Sequence, residues 1–278
     1  MSAKTIQIFL PDGSPRSIRI AEITSRIAKL ILISRNKLNE ASSREELENV
    51  GAYFLFGPAD EKAKDQVYIG EAENCFKRLK QHNSSKDFWN VAVVVVSKTN
   101  SFTKSHVKYL EHYFYQKARE IDRYEVVNEI KPTESFITET MVADLMDDFE
   151  TIKILLSTLG YPLFEEVHKA EAKEILICKG KDAYASGEYT DEGLVVYQKS
   201  VANVKETTTA GTWVKNLRNK LLNSGVLVQK ENVYIFQSDY IFNSPSAAAA
   251  TVLGRRANRW TEWRNAKGKT LDELKRQK

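Results

Sequence analysis

The stretch Gln66–Asn83, QVYIGEAENCFKRLKQHN, carries two signals of different period. Its first residues are β-branched and aromatic and stop at Gly70, the signature of a strand. From Asn74 the period lengthens. Asn74 is a good helix cap, and Phe76 and Leu79 fall three apart on the inward side of a helix. Arg78 and His82, four residues apart, share one face of that helix, and Tyr68 ends the strand that feeds it. Two readings stand side by side: a strand followed by an ordinary amphipathic helix, or a tyrosine, an arginine and a histidine converging on one phosphate.

Working outward, GAYFLFG (Gly51–Gly57) is a second β-rich run, joined to the first by the polar PADEKAKD, and the two read as an antiparallel pair. VAVVVV (Val91–Val96) does not alternate, so it is expected to be a central strand covered on both faces. SHVKYLEHYFYQKARE follows as a helix that Ser105 can cap. Its apolar stripe is Val107, Leu110, Phe114 and Ala118, and Glu111 falls within it. A carboxylate there needs a partner or a cation. An ion pair with Arg78 and a metal-ligating role are both open at this point.

These elements make a β-β-α-β-α unit over about 51–131. Upstream, residues 1–50 hold TIQIFLPDGSPRSIRIAEI, a β-hairpin around PDGSP with Arg16 and Arg19 on its polar face. SSREELENV then reads as a short helix opened by a Ser43–Glu46 capping box. Downstream, an acidic connector over 132–178 has helical spacing at Met141, Leu145, Met146, Phe149, Ile152, Leu155 and Leu156, ending by Gly160 and Pro162. The remainder, 179–278, reads as paired strands in KDAYASGEYTDEGLVVYQKSV and a helix in TWVKNLRNKLLNSG closed by Gly225. A hairpin in GVLVQKENVYIFQSDYIF follows, then a helix in SPSAAAATVLG with Ser244 as cap, Pro245 in the first turn and Gly254 as stop. The fold class is α+β.

Composition narrows the function classes. The chain has 278 residues, 42% hydrophobic and 28% charged, as a soluble globular protein does. Its longest aliphatic run is Val91–Val96, against the ~20 residues of a membrane span, so no membrane partner is expected. No basic-then-apolar leader opens the sequence, and no signal peptide is expected. The two cysteines, Cys75 and Cys178, form no CxxC, which argues against a zinc ribbon and fits a reducing cytoplasm. Net charge is only +4, yet it is unevenly spread. Residues 132–174 carry ten Asp and Glu against three Lys, and residues 254–278 carry nine Lys and Arg against three acids. The basic end is either a solvated face or the footprint of a polyanion.

GAYFLFG followed by YIGEAENCFKRLKQH resembles the GIY-YIG nuclease family, with Gly51-Ala52-Tyr53 and Tyr68-Ile69-Gly70 as its two signatures. The resemblance covers about 51–131. It places the family's arginine at Arg78, its histidine at His82, its metal-binding glutamate at Glu111 in YLEHYF, and an asparagine past that helix at Asn128. Ala52 replaces isoleucine at a position whose side chain should not touch substrate. The resemblance implies phosphodiester hydrolysis in nucleic acid, DNA above all, with Mg²⁺ or Mn²⁺ on Glu111 stabilising the leaving oxygen. Arg78 would donate to the charge that builds on the phosphoryl oxygens. Tyr53 or Tyr68 would take the proton of the attacking water, and His82 would position Tyr68 or contact phosphate. Lys77, Lys80 and Asn128 join the expected substrate contacts, although Asn128 also suits a bracing role. One such site cuts one strand, so double-strand cleavage requires a homodimer or two successive events.

The C-terminal stretch DEGLVVYQKS and FNSPSAAAATVLGRRANRWTEWRNAKGKTLDEL is similar to an uncharacterised module that follows GIY-YIG domains, and to modules associated with restriction-modification methyltransferases. Arg255, Arg256, Arg259 and Arg264 cluster beside Trp260 and Trp263, a mixture that suits phosphate contact and base stacking. Core tryptophans behind a basic rim are the alternative. The leading expectation is a metal-dependent DNA endonuclease whose C-terminal module engages substrate. The rivals are an inactive nucleic-acid-binding protein and a regulatory interaction protein.

Overall fold

In Gly51–Gly57 successive side chains go to opposite faces of a sheet, and both faces are apolar: Ala52, Phe54 and Phe56 on one, Tyr53 and Leu55 on the other. Such a strand has to lie inside a layered structure. The computed structural model describes residues 3–59, 64–166, 175–208, 210–256 and 260–275, which divide into two compact units, 3–166 and 175–275. The described residues form two sheets and six helices, an α+β fold. No described helix is long and apolar enough to cross a membrane.

The N-terminal unit runs β1 (Ile6–Phe9), β2 (Arg19–Ile23), β3 (Ala28–Ser34), β4 (Gly51–Gly57), β5 (Gln66–Ala72), α1 (Cys75–Ser85), β6 (Val91–Ser97), α2 (Lys104–Ile121), β7 (Glu125–Val126) and α3 (Glu139–Thr158). Its seven strands lie in the order β1-β2-β3-β6-β4-β5-β7. All pairs are antiparallel except β5 with β7. Helices α2 and α3 cover one face through Val107, Leu110, Phe114, Leu145, Phe149 and Ile152. Helix α1, with Leu47 and Trp89, covers the other. Strand β6 is central, with Val93 and Val95 in the first core and Ala92, Val94 and Val96 in the second.

The segment 1–50, the domain 51–131 and the connector as far as residue 166 lie in one compact unit, while the end of the expected connector 132–178 belongs to the first strand of the C-terminal unit, which starts at Leu176. The hairpin β1–β2 is present, with Ile6 opposite Ile23 and Phe9 opposite Ile20. It joins the sheet through β3, which pairs with β6 along its whole length, Ala28 opposite Ser97 to Ser34 opposite Val91. The acidic helix α3 is likewise part of the core. Leu145, Phe149, Ile152, Leu155 and Leu156 are buried against the sheet, while Met141 is exposed. Its acids face outward, apart from Asp148, whose carboxyl is raised to about 6 by burial and by Asp147 and Asp144. Asp147 pairs with Arg26 at the β2–β3 turn.

Two caps differ from expectation. Helix α2 is capped two residues earlier, at Thr103, whose side chain accepts from the His106 backbone N–H while the His106 ring accepts from Thr103 N–H. The His106 ring completes a reciprocal cap that Ser105 cannot. Glu45–Glu48 is a 3₁₀ turn with no side-chain cap, and Ser43 instead donates to the Glu40 carbonyl. Glu46 is held by Arg44 and Lys29 rather than reaching back to a cap.

The C-terminal unit contains β8 (Leu176–Lys179), β9 (Tyr184–Thr190), β10 (Gly193–Val196), β11 (Val201–Asn203), α4 (Thr212–Asn223), β12 (Leu227–Lys230), β13 (Val233–Phe236), β14 (Tyr240–Phe242), α5 (Pro245–Leu253), β15 (Trp263–Asn265) and α6 (Leu271–Lys275). Its sheet has the path β12-β13-β11-β9-β10-β14, with β8 pairing both β9 and β15. Ser244 caps α5, Pro245 occupies its first turn, and Gly254 stops it at φ +67°. Small alanines let α5 sink between strands and α4, buried from Ala248 to Leu253. Arg218 of α4 is 1% exposed, yet its guanidinium is satisfied by the carbonyls of Thr251, Val204 and Asn203 and by Glu206.

Candidate active site

The pairing of β4 with β5 places Tyr53 opposite Gly70 and Leu55 opposite Tyr68, so the two tyrosines are diagonal neighbours on the face that α1 covers. The Tyr53 ring crosses over Gly70. A Cβ at residue 70 would collide with the Tyr53 hydroxyl oxygen, which is why this strand position has no side chain. Gly51 has a parallel reason: a Cβ there would lie 2.5 Å from the Val95 carbonyl and 2.8 Å from Cys75 Sγ, where α1 begins. Each signature glycine is thus a point of close approach between the strands and what packs on them.

Helix α1 starts at Asn74, whose side chain accepts from Lys77 N–H at 2.8 Å. With its start fixed, Leu79 faces the core and His82, one turn past Arg78, turns toward the tyrosines. The rings of Tyr53, Tyr68 and His82 form a triangle with centroids 6.3, 5.5 and 5.2 Å apart. Tyr53 Oη lies 2.8 Å from His82 Nε2 and accepts from Arg78 Nε at 3.4 Å. Arginine can only donate, which leaves the phenol proton for the imidazole. Burial, with Arg78 and Lys86 nearby, lowers His82 to about 4, so the ring is neutral and free to accept.

Tyr53 is 1% exposed and its phenol is pushed well above the ordinary range, first by burial. Tyr68 is half-buried. Burial raises it too, while the Arg78 guanidinium acts in the opposite direction. Of the two, Tyr68 is the one that can meet a substrate. Arg78 is exposed; its Nη1 donates to Gln81 at 3.0 Å, and its guanidinium also reaches the Tyr68 hydroxyl.

Glu111 projects from α2 at half-burial, and no described hydrogen bond or ion pair engages it. The Arg78 ion pair left open by the sequence is not formed. Burial, then the neighbouring Glu71, raise Glu111 to about 7, against the pull of Lys104, Lys108 and Arg78. Glu71 itself leans on Lys104, with Nζ 2.9 Å from an Oε2 that is fully buried and lacks hydrogen-bond geometry. No group of three His, Cys, Asp or Glu suited to a metal occurs among the described residues. One unengaged carboxylate beside a second fits a cation that keeps most of its own waters, as Mg²⁺ does.

Asn128 has a different place from that of a substrate contact. Its amide donates to the Ile69 carbonyl at 2.7 Å and accepts from Ile69 N–H at 3.0 Å. It extends the β5–β7 pairing and fixes the strand between Tyr68 and Gly70. Lys77 and Lys80 are exposed on α1, pair with no carboxylate among the described residues, and flank Arg78. Motif spacing did not single out Lys86, Glu71, Lys104 or Arg35. For Lys86 a signal existed: it continues the spacing Arg78, His82, Lys86 by four more residues.

In the C-terminal unit, Trp263 is 0% exposed and donates to the Pro245 carbonyl at 3.1 Å, so it is a core residue and not a stacking platform. Trp260 is partly buried edge-on to Tyr189. Arg255 pairs with Glu262 at 2.9 Å. Arg256 and Arg264 are exposed, and Arg264 lines an open polar cleft with Lys267, Lys269 and Thr270. Arg259 lies outside the described residues. Both cysteines are buried thiols raised to about 12, inert at neutral pH.

Residues 176–275 match a family described as Domain of unknown function (DUF4357), which spans the C-terminal unit. No curated protein and no solved structure matches the chain.

Proposed function

We propose that the protein is a divalent-metal-dependent endonuclease acting on DNA, with its centre at Tyr53, Tyr68, Arg78, His82 and Glu111. The observation that carries this reading is the meeting of two tyrosines, a neutral histidine and an exposed arginine beside a carboxylate with no described partner. A structural ion-pair network would have engaged Glu111. The surface around it also suits a polyanion: α1 carries Lys77, Arg78 and Lys80 and no acid.

Glu111, with Glu71 near it, would hold Mg²⁺ or Mn²⁺, and the ion would supply Lewis-acid stabilisation of the leaving oxygen. Arg78 binds the non-bridging oxygens and gains strength as their charge grows. Tyr68 orients the attacking water and takes its proton as the phenolate, a form that Arg78 favours and burial opposes. Tyr53 and His82 hold that arrangement from below. The exposed arginines of the C-terminal unit add sequence-independent phosphate contacts.

The test is incubation with supercoiled plasmid, with and without Mg²⁺, at several salt concentrations. Nicked or linear product that requires the metal and is lost in Glu111→Gln supports the reading. Intact plasmid under all conditions, from a folded protein that binds DNA, leaves it a nucleic-acid-binding protein; failure to bind DNA at low salt removes the reading altogether.

A further inference from the structure

Between Asn74 and Val96 the chain has one acid, Asp87, among Lys77, Arg78, Lys80 and Lys86. Lys86 is the C-cap residue of α1, and its backbone N–H donates to the His82 carbonyl at 2.9 Å. Its ammonium stands 4.7 Å from the centroid of the Tyr68 ring. It has no carboxylate partner among the described residues, because Asp87 is turned away to Arg35. A cation held on the ring of a central tyrosine, with no counter-charge, is placed to meet an anion.

The segment that carries Lys86 is fixed from an unexpected side. Arg35, just past β3, commits all five N–H donors of its guanidinium to it. Nε donates to Asn83 Oδ1 at 2.9 Å, Nη1 to the Asp87 and Trp89 carbonyls at 3.0 and 3.1 Å, and Nη2 to the Asn83 carbonyl and Asp87 Oδ1 at 2.9 and 3.4 Å. Its backbone N–H reaches Asn90 at 2.8 Å, and the guanidinium lies 4.9 Å from the Trp89 ring. Trp89 in turn donates to the His82 carbonyl at 3.5 Å.

We infer that Lys86 is a substrate-binding residue of this site, contacting a DNA phosphate next to the one that faces Arg78, and that Arg35 is a positioning residue that acts through the Asn83–Asn90 segment. This rests on the nucleic-acid reading above and adds to it a second cationic arm. It also gives the strands before Gly51 a part in the site.

The experiment titrates a fluorescein-labelled, mixed-sequence DNA duplex with wild type, Lys86→Gln, Arg35→Gln and the double variant by anisotropy at several salt concentrations. Plasmid cleavage in Mg²⁺ runs alongside. Lys86→Gln is expected to keep the wild-type Tm, weaken binding severalfold at low salt, and flatten the salt dependence by about 0.9. Arg35→Gln should flatten it by the same amount, and the double variant by no more than either alone. An unchanged slope in Lys86→Gln overturns the assignment. A lowered Tm with wild-type slope in Arg35→Gln makes Arg35 a fold residue only. Wild-type cleavage with unchanged Lys86→Gln binding sinks this inference and leaves the nuclease standing. Lys86-dependent binding without cleavage does the reverse.

Discussion

Replacing Glu111 by glutamine isolates the electrostatic cost of keeping a carboxylate at this place. Its ordinary value of 4.5 is raised to about 7, so the ionised form costs about 3 kcal/mol relative to the unfolded chain. Solvent at the exposed part of the side chain screens some of this, and about 1–3 kcal/mol is expected. The sign follows from linkage. Below about 4.5 the carboxyl is protonated both folded and unfolded, and the cost is absent. It grows as pH rises toward 7 and is complete above that value. Glu111→Gln in EDTA should therefore be more stable than wild type at pH 8, with the difference fading by pH 4. For a unit of this size the Tm at pH 8 should rise by about 2–4 °C per kcal/mol. Thermal melts with EDTA at pH 4, 6 and 8 make the measurement, and hydrogen exchange of β4 and β6 amides assigns it to the N-terminal unit. Mg²⁺ should raise the wild-type Tm and leave the variant unmoved. A variant less stable than wild type at pH 8, or a difference that ignores pH, would refute the reasoning and make Glu111 a structural group.

Arg78→Ala should slow plasmid cleavage by ~10²-fold or more with little change in DNA affinity, since its donors act mainly on charge that develops in the transition state; single-turnover rates beside anisotropy separate the two effects. Gly70→Ala forces a methyl against the Tyr53 hydroxyl, and should cost about 1–3 kcal/mol by urea unfolding and reduce cleavage together. Arg256→Ala with Arg264→Ala should flatten the salt dependence of DNA binding by up to ~0.9 for each phosphate left unneutralised, whereas Arg255→Ala, already paired to Glu262, should change that slope least.

Much of the N-terminal unit was legible because its signals are local. The β-branched and aromatic run at Val67–Ile69 is a strand, although it continues past the expected stop at Gly70 to Ala72; Asn74 caps a helix, and Val91–Val96 is apolar on both faces. The same rule hid β3: Leu30–Ile33 is also apolar on both faces, and such a run does not by itself distinguish a strand from a buried helix. The helix α3 was legible from its apolar spacing, but the ten acids over 132–174 made it read as a connector between units, while its apolar stripe is core of the N-terminal unit. At the site, spacing placed Arg78 and His82 on one helix face, but it could not say that Tyr53 would be buried and Tyr68 accessible. That depends on strand register and on what covers each face. Asn128 read as a substrate or bracing residue because its bond to Ile69 spans 59 positions.

The full-length pairing of β3 with β6 bears on how the chain can be divided. A fragment beginning at Gly51 would keep every residue of the nuclease resemblance and lose the neighbour of its central strand. Val91–Val96 would then become a border, with a row of open N–H and C=O groups along six aliphatic residues. Such a border recruits other chains. The fragment that looks most like a minimal enzyme is therefore the one most prone to aggregate, and the first fifty residues act as its solubilising flank.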